Sequence, residues 1–110
     1  MRNWKTKTGC EIIQVLAGRS NAYLILKSGK VILVDTGAKA SFVKLSKNIN
    51  SLKITFEDIS LLILTHTHFD HCQSAKIIKE KSDCKVIASK MASDSIINGY
   101  GQLPNGTFLF

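Results

Sequence analysis

All three histidines of the chain fall within six residues, in the stretch Thr65-His66-Thr67-His68-Phe69-Asp70-His71-Cys72. Packing offers little reason for such clustering. His66 and His68 stand two apart at the end of an apolar run, so in an extended chain both imidazoles point to the same side and can reach one metal ion. Asp70 and His71 follow at a turn into a helix, where a carboxylate and a third imidazole can face a neighbouring ion. The set suits zinc, and histidine with carboxylate also suits iron or manganese. The alternative is a loop of surface histidines with Asp70 serving only as a helix cap. Four good ligands directly after a buried strand favour the metal reading.

The elements that must position this cluster follow from the apolar pattern. Residues 11–17, Glu11-Ile12-Ile13-Gln14-Val15-Leu16-Ala17, read as a strand ending at the turn Gly18-Arg19-Ser20-Asn21. A second strand over 22–27 and a third over 30–35 meet across Ser28-Gly29, a good two-residue hairpin turn, so the first three strands form a β-meander. Over 38–52, Phe42, Leu45, Ile49 and Leu52 recur at spacings of three and four, which predicts an amphipathic helix. The run Ile59-Ser60-Leu61-Leu62-Ile63-Leu64-Thr65 predicts a strand buried on both faces, between helices on one side and another sheet on the other. Residues 71–81 carry Cys72, Ala75 and Ile78 on one side and read as a helix capped by Asp70. Residues 84–89 give a fifth strand, and residues 91–98 a short helix stopped by Gly99. After the turn Leu103-Pro104-Asn105-Gly106, Thr107-Phe108-Leu109-Phe110 reads as the start of a strand whose continuation is missing, or as a last strand tucked into the sheet. Short apolar runs alternating with helical patterns indicate α/β layering.

Composition narrows the class of protein. With 110 residues, 45% of them hydrophobic and 21% charged, the chain supports one modest core and neither disorder nor two domains. No stretch approaches the roughly 18 apolar residues of a membrane-spanning helix. The first ten residues are basic but lack the apolar segment of a secretory signal. Three cysteines without a CxxC pair form no disulfide framework, so the expected location is the cytoplasm. The net charge of +7 raises the question of nucleic acid. Its lysines are dispersed, Lys39, Lys44, Lys47 and Lys53 on one stretch and Lys76, Lys79, Lys81 and Lys85 on another, which reads as solvated helix faces. A nucleic-acid partner is not expected.

The stretch Thr65-His66-Thr67-His68-Phe69-Asp70-His71, with Asn21-Ala22-Tyr23-Leu24-Ile25 and Val34-Asp35-Thr36-Gly37 upstream, strongly resembles the metallo-beta-lactamase fold superfamily of metal-dependent hydrolases. The resemblance implies an α+β fold, the N-terminal half of an αββα sandwich, with a mixed sheet carrying helices on one face and a metal centre at the sheet edge. It implies that His66 and His68 bind a first metal and Asp70 and His71 a second. It also implies a hydrolase acting on an ester, thioester, amide or phosphoester, with Asp70 aiming the attacking water. Asp70-His71 in tandem is more similar to the glyoxalase II type and general hydrolase branch than to lactamases that lack this histidine. Asp35 matches the family's early aspartate and would hold ligand geometry by hydrogen bonds; its alternative is a plain turn residue before Thr36-Gly37. Gly37 is expected to serve the turn, and Cys72 to be a small buried helix residue.

The family completes its metal site with ligands from a second half. Here no histidine follows His71, and the later acids Glu80, Asp83 and Asp94 lie in no family motif. The chain therefore reads as a single domain over 1–110 that stops after its first half. The expected partners are a small-molecule substrate together with a second copy of the chain or a complementing C-terminal half. The expected metal binding is weak and single, through His66, His68 and His71, with little hydrolysis by the isolated chain. The competing reading is an inactive half-domain that binds metal or a partner.

Overall fold

The computed structural model describes residues 1–65 and 74–88. Its frame is a six-stranded mixed sheet in sequential order: β1 (Asn3–Lys5), β2 (Glu11–Leu16), β3 (Ala22–Lys27), β4 (Lys30–Val34), β5 (Ile59–Ile63) and β6 (Lys85–Ile87). The strands β1 to β4 run antiparallel, and β4, β5 and β6 run parallel. The predicted meander is present. Its β3–β4 hairpin turns at Ser28 and Gly29 with φ of 51° and 78°, the pair of positive angles that matches the right-handed twist of the flanking strands. Strand β1 was not expected, because three exposed residues carry no apolar alternation. It is anchored instead by Trp4, which pairs with Ile12, lies 6.5 Å from the Tyr23 ring and is covered by the Arg2 guanidinium at 5.1 Å.

Among the described residues two helices lie in the parallel crossovers: α1 (Phe42–Ser51), entered through a short 3-10 turn at Lys39–Ser41, and α2 (Ala75–Ser82). The predicted stripe of α1 is the one that packs, with Leu45 and Ile49 buried and Phe42 and Leu52 partly so. Phe42 stacks on Phe56 with ring centroids 5.3 Å apart. The first crossover ends at Thr55, whose amide donates to Asp58 Oδ2 at 2.9 Å in a capping box just before β5. Helix α2 buries Ala75 and Ile78 and ends at Asp83 in the left-handed region, whose amide returns to the Lys79 carbonyl at 2.8 Å.

The core lies on one face of the sheet. Ile13, Leu24, Leu33 and Leu62 stand opposite one another across β2 to β5 and are all buried, in one cluster with Leu45, Ile49, Ala75 and Ile78 of the helices. Helices on one face of a mixed sheet is the arrangement the sequence predicts. The reading of β5 as buried on both faces holds on one face only, since Leu62 is buried whereas Leu61 and Ile63 are half-buried. The helices cover the face that Leu62 joins. On the other face Ile12, Ile25, Ile32 and Leu61 form a half-buried row. The lysines of the two helical stretches are exposed, as a solvated charge requires. Among the described residues no helix is long and apolar enough to cross a membrane. The readings of a helix over 91–98, a turn over 103–106 and a strand over 107–110 lie outside the described residues.

Candidate metal centre

Parallel strands bring their carboxyl ends to the same edge, and loops that leave such an edge are where open α/β sheets place ligands. At this edge the Asp35 amide donates to the Ile63 carbonyl at 2.8 Å and the Leu64 amide to the Ile87 carbonyl at 2.9 Å, carrying the pairing one step beyond β4 and β5. Asp35 itself turns into the left-handed region at φ 63° and is only 5% exposed. Aspartate tolerates that conformation better than most residues, but a buried carboxylate must be hydrogen-bonded. Thr65 bonds both of its oxygens: the amide donates to Oδ1 at 2.9 Å and the hydroxyl to Oδ2 at 2.6 Å. Both bonds end on carboxyl oxygens, one on each.

The next two residues continue the built corner. Thr36 is fully buried, and its Oγ1 donates to the Gly37 carbonyl at 3.2 Å while accepting a long bond, 3.4 Å, from the Ser74 amide at the start of α2. Gly37 has φ 73°, where glycine is favoured, and a Cβ built there would meet Leu16 Cδ1 at 2.6 Å, so that side chain would have to shift to admit one. The expectation that Gly37 serves the turn is met. Ser74 Oγ is fully buried and finds no hydrogen-bond partner among the described residues.

His66, His68, Asp70, His71 and Cys72 lie outside the described residues. What the structure places is the residue on either side of them, Thr65 and Ser74, and Asp35 against the first of these. Among the described residues no three His, Cys, Asp or Glu side chains gather into a metal-holding group. Sequence reasoning passed over Thr65, Thr36 and Ser74. A hydroxyl residue ending a buried apolar strand, directly before a cluster of ligand types, was the available signal for Thr65.

The family model described as the metallo-beta-lactamase superfamily matches residues 15–108. The chain belongs to the metallo-beta-lactamase superfamily. A probable metallo-hydrolase of Methanocaldococcus jannaschii is 36% identical over 80 residues, which is 73% of this chain and 37% of the relative. Among solved structures, a metallo-beta-lactamase of Cronobacter sakazakii superposes with a TM-score of 0.74 at 24% identity over 90% of this chain and 39% of its own. A mutant of the Legionella gormanii metallo-beta-lactamase does so with a TM-score of 0.66 at 26% identity, over 72% of this chain and 30% of its own. The chain thus spans well under half the length of these superfamily relatives. The α+β mixed sheet described above is the superfamily fold.

Three imidazoles and a carboxylate make a donor set that fits a divalent metal of the zinc, iron or manganese type, and it sits in sequence between two residues fastened at the sheet edge.

Proposed function

We propose that this chain carries the leading ligands of a metal-dependent hydrolase, with His66, His68, Asp70 and His71 as the residues that hold the metal. The observation that supports this best is the fastening of Thr65 to Asp35 through two hydrogen bonds, directly before His66. A bound zinc, iron or manganese ion supplies Lewis acidity, which lowers the pKa of water and polarises a scissile carbonyl or phosphoryl group. The chain's own residues do the rest. Neutral imidazoles of His66, His68 and His71 offer nitrogen lone pairs, and the Asp70 carboxylate accepts a hydrogen bond from the attacking water and aims it. Asp35, through Thr65, fixes where the strand hands over to the ligands. The substrate is a small molecule carrying an ester, thioester, amide or phosphoester. Free thiols at Cys10 and Cys84 suit a reducing compartment, so the cytoplasm is the proposed location.

A second reading is favoured by the half-buried row Ile12, Ile25, Ile32 and Leu61 on the sheet face that no helix among the described residues covers. In it the chain holds metal or a partner, a second copy or a complementing C-terminal half, without turnover. Metal content after zinc loading, measured with molar mass in solution and with hydrolysis of a panel of ester, thioester and phosphoester substrates, separates the two. The hydrolase reading expects bound zinc and turnover that both fall at least about tenfold in His66→Ala and Asp70→Ala. Zinc without turnover in the wild type supports the second reading, and no zinc in the wild type overturns the metal site.

A further inference from the structure

The end of the sheet away from Asp35 holds a groove of about 580 Å³ that the metal reading does not use. That volume lies within the range of small-molecule sites. Its base continues the core face of the sheet: Glu11, Leu26 and Val31 stand opposite one another across β2 to β4, two residues along from the buried Ile13, Leu24 and Leu33, and Lys5 joins the row from β1. Ile54, in the loop that leaves α1, packs against the same cluster and lines the groove as well. Leu26 and Ile54 are only half-buried, so the floor is apolar and open to a ligand. One wall is the β1–β2 turn, braced by the Thr6 amide on the Cys10 carbonyl at 2.9 Å and the Cys10 amide on Thr6 Oγ1 at 3.0 Å. The other is the β3–β4 hairpin.

The charges around this floor are unbalanced. Lys27 and Lys30 are cross-strand partners on either side of the hairpin turn, and like charges directly opposite one another destabilise a strand pair. Lys5 lines the same groove, and none of the three ammonium groups has an ion-pair partner among the described residues. Glu11 is the one acidic residue among the described lining residues, and the Asn3 side-chain amide reaches it at 3.4 Å. Three cations against one carboxylate leave a surplus of two positive charges. A phosphate monoester, which carries close to two negative charges at neutral pH, neutralises that surplus. We propose that this groove binds a small alkyl or aryl phosphate monoester, its phosphate held by Lys5, Lys27 and Lys30 and its apolar body laid on Leu26, Val31 and Ile54. Lysine binds phosphate as a point charge and needs no fixed fork geometry, and the braced turn presents its wall already formed. The five residues of β4, about 16 Å of strand, separate the groove from Asp35, so the inference does not rest on the metal reading.

The test titrates the full chain, stripped of metal by dialysis, with n-hexyl phosphate and follows the backbone amides by NMR, with inorganic phosphate and n-hexanol as controls. Saturable binding is expected, with shifts at Leu26, Gly29, Val31 and Ile54, none at Asp35 or Thr65, and weaker binding of either control. Lys5→Gln and Lys30→Gln are each expected to weaken binding about two- to fivefold. Lys44→Gln, at an exposed lysine of α1, is expected to leave it at the wild-type value. All three change exposed side chains, which tolerate substitution. Equal weakening by Lys44→Gln overturns the proposal, because it marks attraction to the net charge alone. So does inorganic phosphate binding as tightly as the ester, which leaves the apolar floor without a role, and so does an ester that does not bind. Shifts centred on Asp35 and Thr65 put the ester at the candidate metal centre and overturn the groove. Binding to phosphatidate vesicles without binding of the soluble ester overturns it in favour of a membrane surface.

Discussion

Gly37 illustrates how a single residue can be constrained by two independent features. Its φ of 73° lies where a side chain is strained, and the space a Cβ needs is taken by Leu16 Cδ1 at 2.6 Å, on a side chain that is itself buried. Gly29 shares the first feature, with φ 78°, but has nothing within 4 Å of the Cβ position. Gly29→Ala should therefore cost about 1 kcal/mol of backbone strain. Gly37→Ala should cost roughly 2 to 4 kcal/mol, strain and overpacking together. Urea unfolding of the two variants checks this, and equal midpoint shifts would show that Leu16 moves aside freely. Asp35 is the residue at which sequence reasoning left two roles open. A plain turn residue needs no buried carboxylate, whereas Asp35 is satisfied on both oxygens by Thr65. The partner was not legible because the two lie 30 positions apart and only the parallel pairing of β4 with β5 brings them together. The histidine cluster, by contrast, is read from local information, residue types and spacing, and its residues lie outside the described ones.

Among the elements, β2 shows how an irregularity is compensated from outside the sheet. Its pairing with β3 shifts between Gln14 and Leu16, leaving Val15 out of the ladder. The Val15 carbonyl is satisfied instead by the Asn48 side-chain amide of α1, at 2.7 Å. That bond fixes the height of α1 against the sheet, while Leu45 and Ile49 supply the burial. Asn48→Ala removes the donor and strands a carbonyl away from its ladder, so the expected loss is about 1 to 3 kcal/mol. Val43→Ala, on the same helix but 77% exposed, should stay within about 0.5 kcal/mol. Thermal unfolding of both variants tests the assignment, and an Asn48→Ala variant as stable as Val43→Ala would mean that water replaces the amide. The stripe on α1, the meander and the hairpin turn were all readable from periodicity and turn chemistry, which act within a few residues. The bulge and the short β1 were not, since a bulge is a property of two strands together and β1 owes its place to Trp4 meeting Tyr23 and Ile12.

At the scale of the molecule, the two faces of one sheet live in different surroundings, and neighbouring residues on one strand report the difference. Leu33 is fully buried against the helices, with Leu24 and Leu62 on either side of it. Ile32, one residue earlier, points to the opposite face, where its cross-strand neighbours Ile25 and Leu61 are also half-buried. Alternation of side chains across the pleat makes the pair a controlled comparison: same strand, same backbone pairing, similar volume, opposite face. Threonine has the β-branched shape that a strand prefers, so at both positions the substitution chiefly exchanges apolar surface for a hydroxyl. Leu33→Thr leaves a cavity and buries an unpaired hydroxyl, an expected loss of roughly 3 to 5 kcal/mol. Ile32→Thr can still hydrate its hydroxyl and should cost about 1 kcal/mol or less. The same substitution should lower binding of a hydrophobic dye to the folded protein, because it interrupts a contiguous apolar row. Urea unfolding and dye fluorescence on the two variants make the check. A large stability loss in Ile32→Thr would mean that this face is covered in solution, and molar mass of the wild type would then tell whether the cover is a second copy of the chain.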